Sequence, residues 1–197
     1  MKEIGFAITS SYCNIEYAIE EMIKLKQAGY DIIPITSPGV IENDTRFGKG
    51  IDFKKRIEDI SGNPITSSII DAEKFGSIKP LSLLLVAPAT GNYISKLANG
   101  INDTTVNMTT KATLRNNKPV VIAVSTNDGL GLNGENIMRL LNTKNIYFVP
   151  FAQDDYKNKP NSLIADYSLI LPTIEAAFDR VQYQPVITCN GRCKVKK

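Results

Sequence analysis

Leu83-Leu84-Leu85-Val86-Ala87-Pro88-Ala89-Thr90-Gly91-Asn92 is the stretch that decides the fold class. Its first five residues are an unbroken apolar run of strand length. Runs of that kind belong to strands buried on both faces of a parallel sheet. A short polar turn follows, then helical spacing over Thr90 to Asn99, with Gly100 as its stop. A strand passing through such a turn into a helix is the repeating unit of an α/β fold.

The same unit recurs on either side. Upstream, Glu3 to Thr9 reads as a first strand, with a polar turn from Ser10 to Asn14. Ile15 to Ala28 follows as a helix, and Gly29 stands where a left-handed C-terminal cap is wanted. Asp31 to Thr36 is a second strand, and Ile51 to Ile60 an amphipathic helix ending near Gly62-Asn63-Pro64. Downstream, the pattern predicts a helix over Thr104 to Arg115, a strand over Pro119 to Val124, a helix over Asn133 to Leu141 and a strand over Ile146 to Val149. Beyond Pro150 the pattern loosens: Asp154 to Asn161 is polar, and Thr173 to Arg180 closes the fold as a helix. The expected architecture is α/β, a Rossmann-like or flavodoxin-like three-layer sandwich with a parallel sheet. No linker or repeat divides the chain, so residues 1–187 are expected to form a single domain, followed by a basic tail over 188–197.

Composition narrows the chemistry. With 197 residues the chain can bury a core without disulfides or structural metals. The net charge of +3 owes much to Arg192, Lys194, Lys196 and Lys197, so it argues for a solvated tail and not for a nucleic-acid partner. No apolar run approaches the roughly 18 residues that span a bilayer, and the N-terminus runs straight into a strand pattern without a signal peptide. Three cysteines, an odd number with Cys13 far from Cys189 and Cys193, suit a cytoplasmic protein with free thiols. Histidine is absent altogether. Ser-His and Cys-His nucleophiles and histidine-based zinc sites are thereby excluded, and proton transfer falls to carboxylates, Lys, Tyr, Cys or water.

In an open parallel sheet, ligands bind beyond the carboxyl ends of the strands. The residues there are Thr9-Ser10-Ser11-Tyr12-Cys13-Asn14, Thr36-Ser37, Pro88-Ala89-Thr90-Gly91-Asn92 and Ser125-Thr126-Asn127-Asp128-Gly129. Hydroxyls, amides and backbone N–H groups at helix starts suit an anion. Each turn taken singly is equally a helix cap; four on one edge favour a binding site. There is no Gly-x-Gly-x-x-Gly after the first strand and no Walker lysine loop, which weakens NAD and ATP as ligands. Metal ligands are not evident: Cys189 and Cys193 form a CxxxC pair without partners, and exposure accounts for Asp154-Asp155. Cys13 could face the ligand, although free cysteines are more often small buried residues.

Ala87-Pro88-Ala89-Thr90-Gly91-Asn92, then Ser95-Lys96-Leu97-Ala98-Asn99-Gly100 and Asp103, resembles the signature of the flavoprotein superfamily. That superfamily contains flavin-dependent cysteine decarboxylases and flavin prenyltransferases. Asn99 departs from the usual Ala or Ser. Within it the chain is similar to the B subunits of dipicolinate synthases. The supporting runs are Asn43 to Lys49, Lys111 to Asn116, Ser125 to Asn133, Asn142 to Phe151, Lys159 to Leu163 and Pro172 to Ala177.

The resemblance implies an oxidoreductase subunit working with a dehydrogenase-like A subunit that carries NAD(P). Together they would convert a hydroxylated tetrahydrodipicolinate from the lysine pathway to dipicolinic acid in a sporulating cell. It implies FMN as cofactor. Thr9, Ser10 and Ser11 would hold its phosphate, Ser37 would lie near the ribityl chain or ring edge, Ala89, Thr90, Gly91 and Asn92 would pass along the isoalloxazine, and Ser125, Thr126 and Asn127 would line the opposite side. A dicarboxylate substrate needs fixed cations, for which Arg46, Lys111 and Arg115 are the candidates, with Lys96 behind them. Arg46 is equally a loop surface charge, and Lys111 and Arg115, four apart on one helix, fit a solvated face at least as well. A homo-oligomer is expected, and no catalytic residue is assigned. A stand-alone decarboxylase or prenyltransferase, or a binding subunit without flavin, stays open; the missing histidine counts against the cysteine decarboxylases, which use one near the flavin.

Overall fold

A computed structural model describes residues 2–188, so the CxxxC pair and the basic tail from Cys189 onward lie outside the described residues. The parallel strands are β1 (Glu3–Ile8), β2 (Asp31–Thr36), β3 (Leu84–Ala89), β4 (Val120–Thr126) and β5 (Ile146–Phe148). Between and around them run α1 (Ile15–Gln27), α2 (Pro38–Glu42), α3 (Gly50–Ser61), α4 (Ile69–Ala72), α5 (Lys74–Ser77), α6 (Gly91–Ala98), α7 (Thr105–Arg115) and α8 (Leu132–Leu141). The antiparallel pair β6 (Phe151–Gln153) and β7 (Leu163–Ala165) follows, and α9 (Ile170–Phe178) closes the chain.

The seven strands form one sheet of order β2-β1-β3-β4-β7-β6, with β5 also on β4. The parallel part therefore runs β2-β1-β3-β4-β5, the doubly wound flavodoxin-like order whose connections reverse direction between β1 and β3. β4 divides its edge: Val120 to Ile122 pair with β5, and Ser125 and Thr126 pair with β7.

The apolar runs do what their pattern requires. Every residue of β3 is buried, and β1 is buried from Ile4 to Ile8. α1 places Ile15, Ala18, Ile19, Met22 and Leu25 in the core, which is one continuous cluster. Gly29 and Gly100 end their helices at φ +89° and +71°, where a side chain would be strained. α7 buries Thr105, Thr109, Thr110 and Thr113; the hydroxyls of the last three donate to the carbonyls four residues earlier, so no polar group is stranded.

The differences from expectation have local causes. β3 runs on to Ala89, past the register shift between Val86 and Ala89 that accommodates Pro88. α9 starts at Ile170, ahead of Thr173, because Pro172 sits in the first turn, where a missing N–H costs nothing. The polar stretch after Pro150 is the loop of the β6–β7 hairpin, whose three-residue strands are too short to show a period. The chain beyond it is held down: Gln182 pairs its side-chain amide with the N–H and C=O of Phe148, and Thr188 donates its N–H to Phe151 O at 3.0 Å.

Candidate functional site

The carboxyl ends of β1, β3 and β4 open into a cavity of about 650 Å³. A second, of about 350 Å³, reaches toward β2 and the start of α7 and shares Ser10, Thr90 and Asn92 with the first. The shared wall lies at the reversal between β1 and β3, where this topology leaves a crevice.

Most of the residues expected from sequence to hold a cofactor meet here. Ser11, Gly91, Ser125, Thr126 and Asn127 line the larger cavity, and Thr9 and Ser37 line the smaller. Ala89 does not; it is buried at the end of β3. Thr9 is 3 % exposed, and its hydroxyl is spent internally, donating to Pro88 O at 2.7 Å and accepting from the Thr90 N–H at 3.1 Å. It joins the first and third turns. Thr90 in turn caps α6 by accepting from the Tyr93 N–H. Ser11, Asn14 and Ser125 form a second tie: the two hydroxyls are 2.9 Å apart and Asn14 Nδ2 donates to Ser125 Oγ at 2.7 Å.

Four side chains on these walls, Ser10, Ser37, Asn92 and Asn127, have no hydrogen-bond partner among the described residues. The Thr36 hydroxyl, one residue before Ser37, is buried without a partner. Gly91 is required by its neighbours, since a Cβ there would lie 2.7 Å from both Thr126 Oγ1 and Asn133 Nδ2. Burial holds the Tyr93 phenol above its ordinary range, opposed by its bond to Thr110, so it stays neutral.

The expected cations divide. Arg46 lines the larger cavity, its guanidinium 4.8 Å from the Phe47 ring centroid. Lys111 and Arg115 line a separate recess with Glu73 and Ser77. α7 presents only its start to the site, and these two lie about 9 and 15 Å further along its axis at 1.5 Å per residue. Lys96 pairs with the exposed Asp103 at 2.7 Å, holding that carboxyl below its usual range.

Sequence reading places Asp128 in the turn after β4 without giving it a role and passes over Asn133, Lys159 and Ser162 as site residues; all four line the cavity together with Asp154 and the exposed Cys13. Asp128 is seated closely: a Cβ on Gly131 would overlap its Oδ1, and Asn133 Nδ2 lies 3.4 Å from its Oδ2. Asp128, Gly131 and Asn133 stand within one of the runs that carry the family resemblance, which is the signal that could have found them. Lys159 and Ser162 stand in another of those runs, Lys159 to Leu163, although only the hairpin brings them to the cavity.

Comparison with known proteins agrees with this fold. The flavoprotein family model matches residues 1–157. The B subunit of dipicolinate synthase from Bacillus subtilis (strain 168) is 47 % identical over 189 residues, covering 96 % of this chain and 94 % of that protein. The crystal structure of the corresponding B subunit from Bacillus halodurans C superposes with a TM-score of 0.88 at 47 % identity, over 95 % of this chain and 96 % of that one. An FMN-dependent cysteine decarboxylase shares the fold at a TM-score of 0.62 and 17 % identity, over 91 % and 96 % of the two chains. With a family model spanning most of its length and near-half identity from end to end, the chain belongs to the flavoprotein family, where it is similar to the B subunits of dipicolinate synthase.

Proposed function

We propose that this chain is the flavoprotein-like subunit of a dipicolinate synthase, binding FMN in the joined cavities and presenting a cyclic dicarboxylate to it. The observation that carries this reading is the set of unpartnered polar side chains, Ser10, Ser37, Asn92 and Asn127, on two cavities that meet at the strand-order reversal. They fit a phosphate and a ribityl chain, both rich in hydrogen-bonding oxygens. Ser10 and Ser11 follow β1, where the phosphate would sit, and Thr90 to Asn92 follow β3, along the ring.

When bound, FMN supplies a two-electron acceptor. The chain's own residues bind and orient the substrate and move a proton. With no imidazole available, the ring proton goes to a carboxylate, Lys, Tyr, Cys or water as the heterocycle becomes aromatic, and a carboxylate on the cavity wall is the base this reading assigns. Asp128 is the carboxylate on the cavity wall that makes no ion pair among the described residues; Asp154 pairs with Lys159. Asp128 is therefore the proton acceptor in this reading.

The remaining assignments follow the family. A dehydrogenase-like A subunit carrying NAD(P) is the partner, and the product is dipicolinic acid made in the cytoplasm of a sporulating cell. Exposed apolar side chains such as Ile70, Ile78 and Leu132 are available for contacts between copies in a homo-oligomer. No helix among the described residues is long and apolar enough to cross a membrane.

The test is the visible absorption spectrum of the purified chain, before and after adding FMN. Flavin bands that survive desalting, and disappear in Ser10→Ala and Asn92→Ala, are the expected result. A chain that stays colourless with FMN overturns the flavin site and leaves a binding protein that works without flavin.

A further inference from the structure

We infer that Arg46 and Lys159 form a two-point clamp for the two carboxylates of the substrate, with Asp154 holding Lys159 until the substrate displaces it. The inference rests on the dicarboxylate reading above and adds to it the residue that recognises the second carboxylate.

Among the described residues, Arg46 and Lys159 are the only cations lining the larger cavity. They approach it from opposite flanks. Arg46 stands in the loop between α2 and α3, beyond β2 at one end of the strand order; Lys159 comes from the β6–β7 loop at the other end. The turns after β1, β3 and β4 lie between them. A ring with a carboxylate on each side meets one cation on each side.

Each cation is free to change partners. Arg46 makes no ion pair among the described residues, and its guanidinium rests against Phe47. Such a planar fork can take a carboxylate with two parallel bonds. Lys159 Nζ is 3.2 Å from Asp154 Oδ2, with the two side chains 59 % and 37 % exposed. Ion pairs as open as this contribute little, so a carboxylate entering the cavity can replace Asp154. The loop itself is well tied. Asp155 accepts from the N–H groups of Lys157 and Asn158 and from Asn158 Nδ2, its carbonyl receives the Lys159 N–H, and the Lys159 carbonyl receives the Ser162 N–H at 3.0 Å. Lys159 thus leaves a folded turn in a set direction.

The experiment is calorimetric titration of pyridine-2,6-dicarboxylate, and of pyridine-2-carboxylate with its single carboxylate, into the full chain with FMN in the buffer. The clamp requires wild type to prefer the dicarboxylate. Arg46→Gln and Lys159→Gln should each weaken dicarboxylate binding by about tenfold, the usual scale for one charge-assisted hydrogen bond, and should erase the preference. Asp154→Asn should tighten binding by about two- to fivefold, the scale of an exposed ion pair. Lys157→Gln, the same charge change on the same loop but off the cavity wall, should change nothing. If wild type binds the dicarboxylate and Lys159→Gln binds it equally well, the clamp is overturned while the substrate reading stands. If wild type binds neither compound, the substrate reading itself fails and the clamp with it. An equal loss in Lys157→Gln and Lys159→Gln would reduce the effect to net charge and also overturn the clamp.

Discussion

Replacing Thr9 by valine keeps the shape of the side chain and removes the hydroxyl that joins Pro88 O to the Thr90 N–H. The Thr90 N–H would then lose its partner at a site 3 % exposed, while Pro88 O keeps only the Thr9 backbone N–H at 3.3 Å. The expected cost is about 1–3 kcal/mol, measured by urea denaturation, with Thr9→Ser close to wild type. Gly91→Ala should cost about 1–3 kcal/mol, because the new methyl must displace Thr126 or Asn133. In the same assay, a Gly91→Ala protein as stable as wild type would show that this wall yields. At this scale the sequence was legible in kind and not in partnership. Thr9 stood out as a polar residue ending a strand, but its acceptor lies 79 residues away. Gly91 was expected to let a ring come close, and what it admits in the structure is the chain's own Thr126 and Asn133. Lys111 and Arg115 had the right charge, and only the direction of α7 shows that they miss the cavity.

Elements were more legible than residues wherever a period could build up. The parallel strands and α1, α3, α6, α7 and α8 announced themselves through burial on one face or two. α2, α4, α5, β6 and β7 are three to five residues long and carry too few apolar positions for any repeat. One contact between elements gives a pH prediction. Arg56 on α3 makes two bonds to Glu16 on α1, at 2.7 and 2.8 Å, and holds the Glu16 carboxyl below its ordinary value. A lowered folded-state value means that the contribution is complete above the ordinary glutamate range and is lost as pH falls through the folded-state value. Both side chains are about half exposed, so the contribution is about 0.5 kcal/mol. Comparing Glu16→Gln with wild type by urea titration should show a small gap near neutral pH that closes in acid; a gap that widens in acid would reverse the assignment. The edge of β5 gives another. Gln182→Ala leaves the N–H and C=O of Phe148 without their amide partner, and should lower stability by about 1–3 kcal/mol. It also exposes a strand edge, so light scattering should rise with protein concentration.

For the whole molecule, binding and anchorage occupy opposite ends of the sheet. At the amino ends of β4 and β5, the three non-glycine residues with positive φ among the described residues, Asn117, Asn145 and Arg180, bond to one another. Arg180 donates to Asn145 Oδ1 and Asn117 O at 2.6 Å each, and Asn145 Nδ2 donates to Asn117 Oδ1 at 2.8 Å. Arg180→Ala should lower stability by about 1–2 kcal/mol and leave ligand affinity untouched; Ser10→Ala should do the reverse. Denaturation and titration on the single and double variants should give additive effects. The fold class is readable from the sequence because it follows from the alternation of elements, whereas the site's outer wall is not, since two three-residue strands build it. The divided edge of β4 then makes the hairpin a separable module. The hairpin carrying Asp154 and Lys159 meets β4 through only two residue pairs, Ser125 with Ile164 and Thr126 with Leu163. Few bonds must be remade when that hairpin changes length or composition, and the parallel strands bearing the other turns need not adjust. A change of substrate could thus be made by rewriting one short hairpin, with the turns after β1, β3 and β4 left as they are.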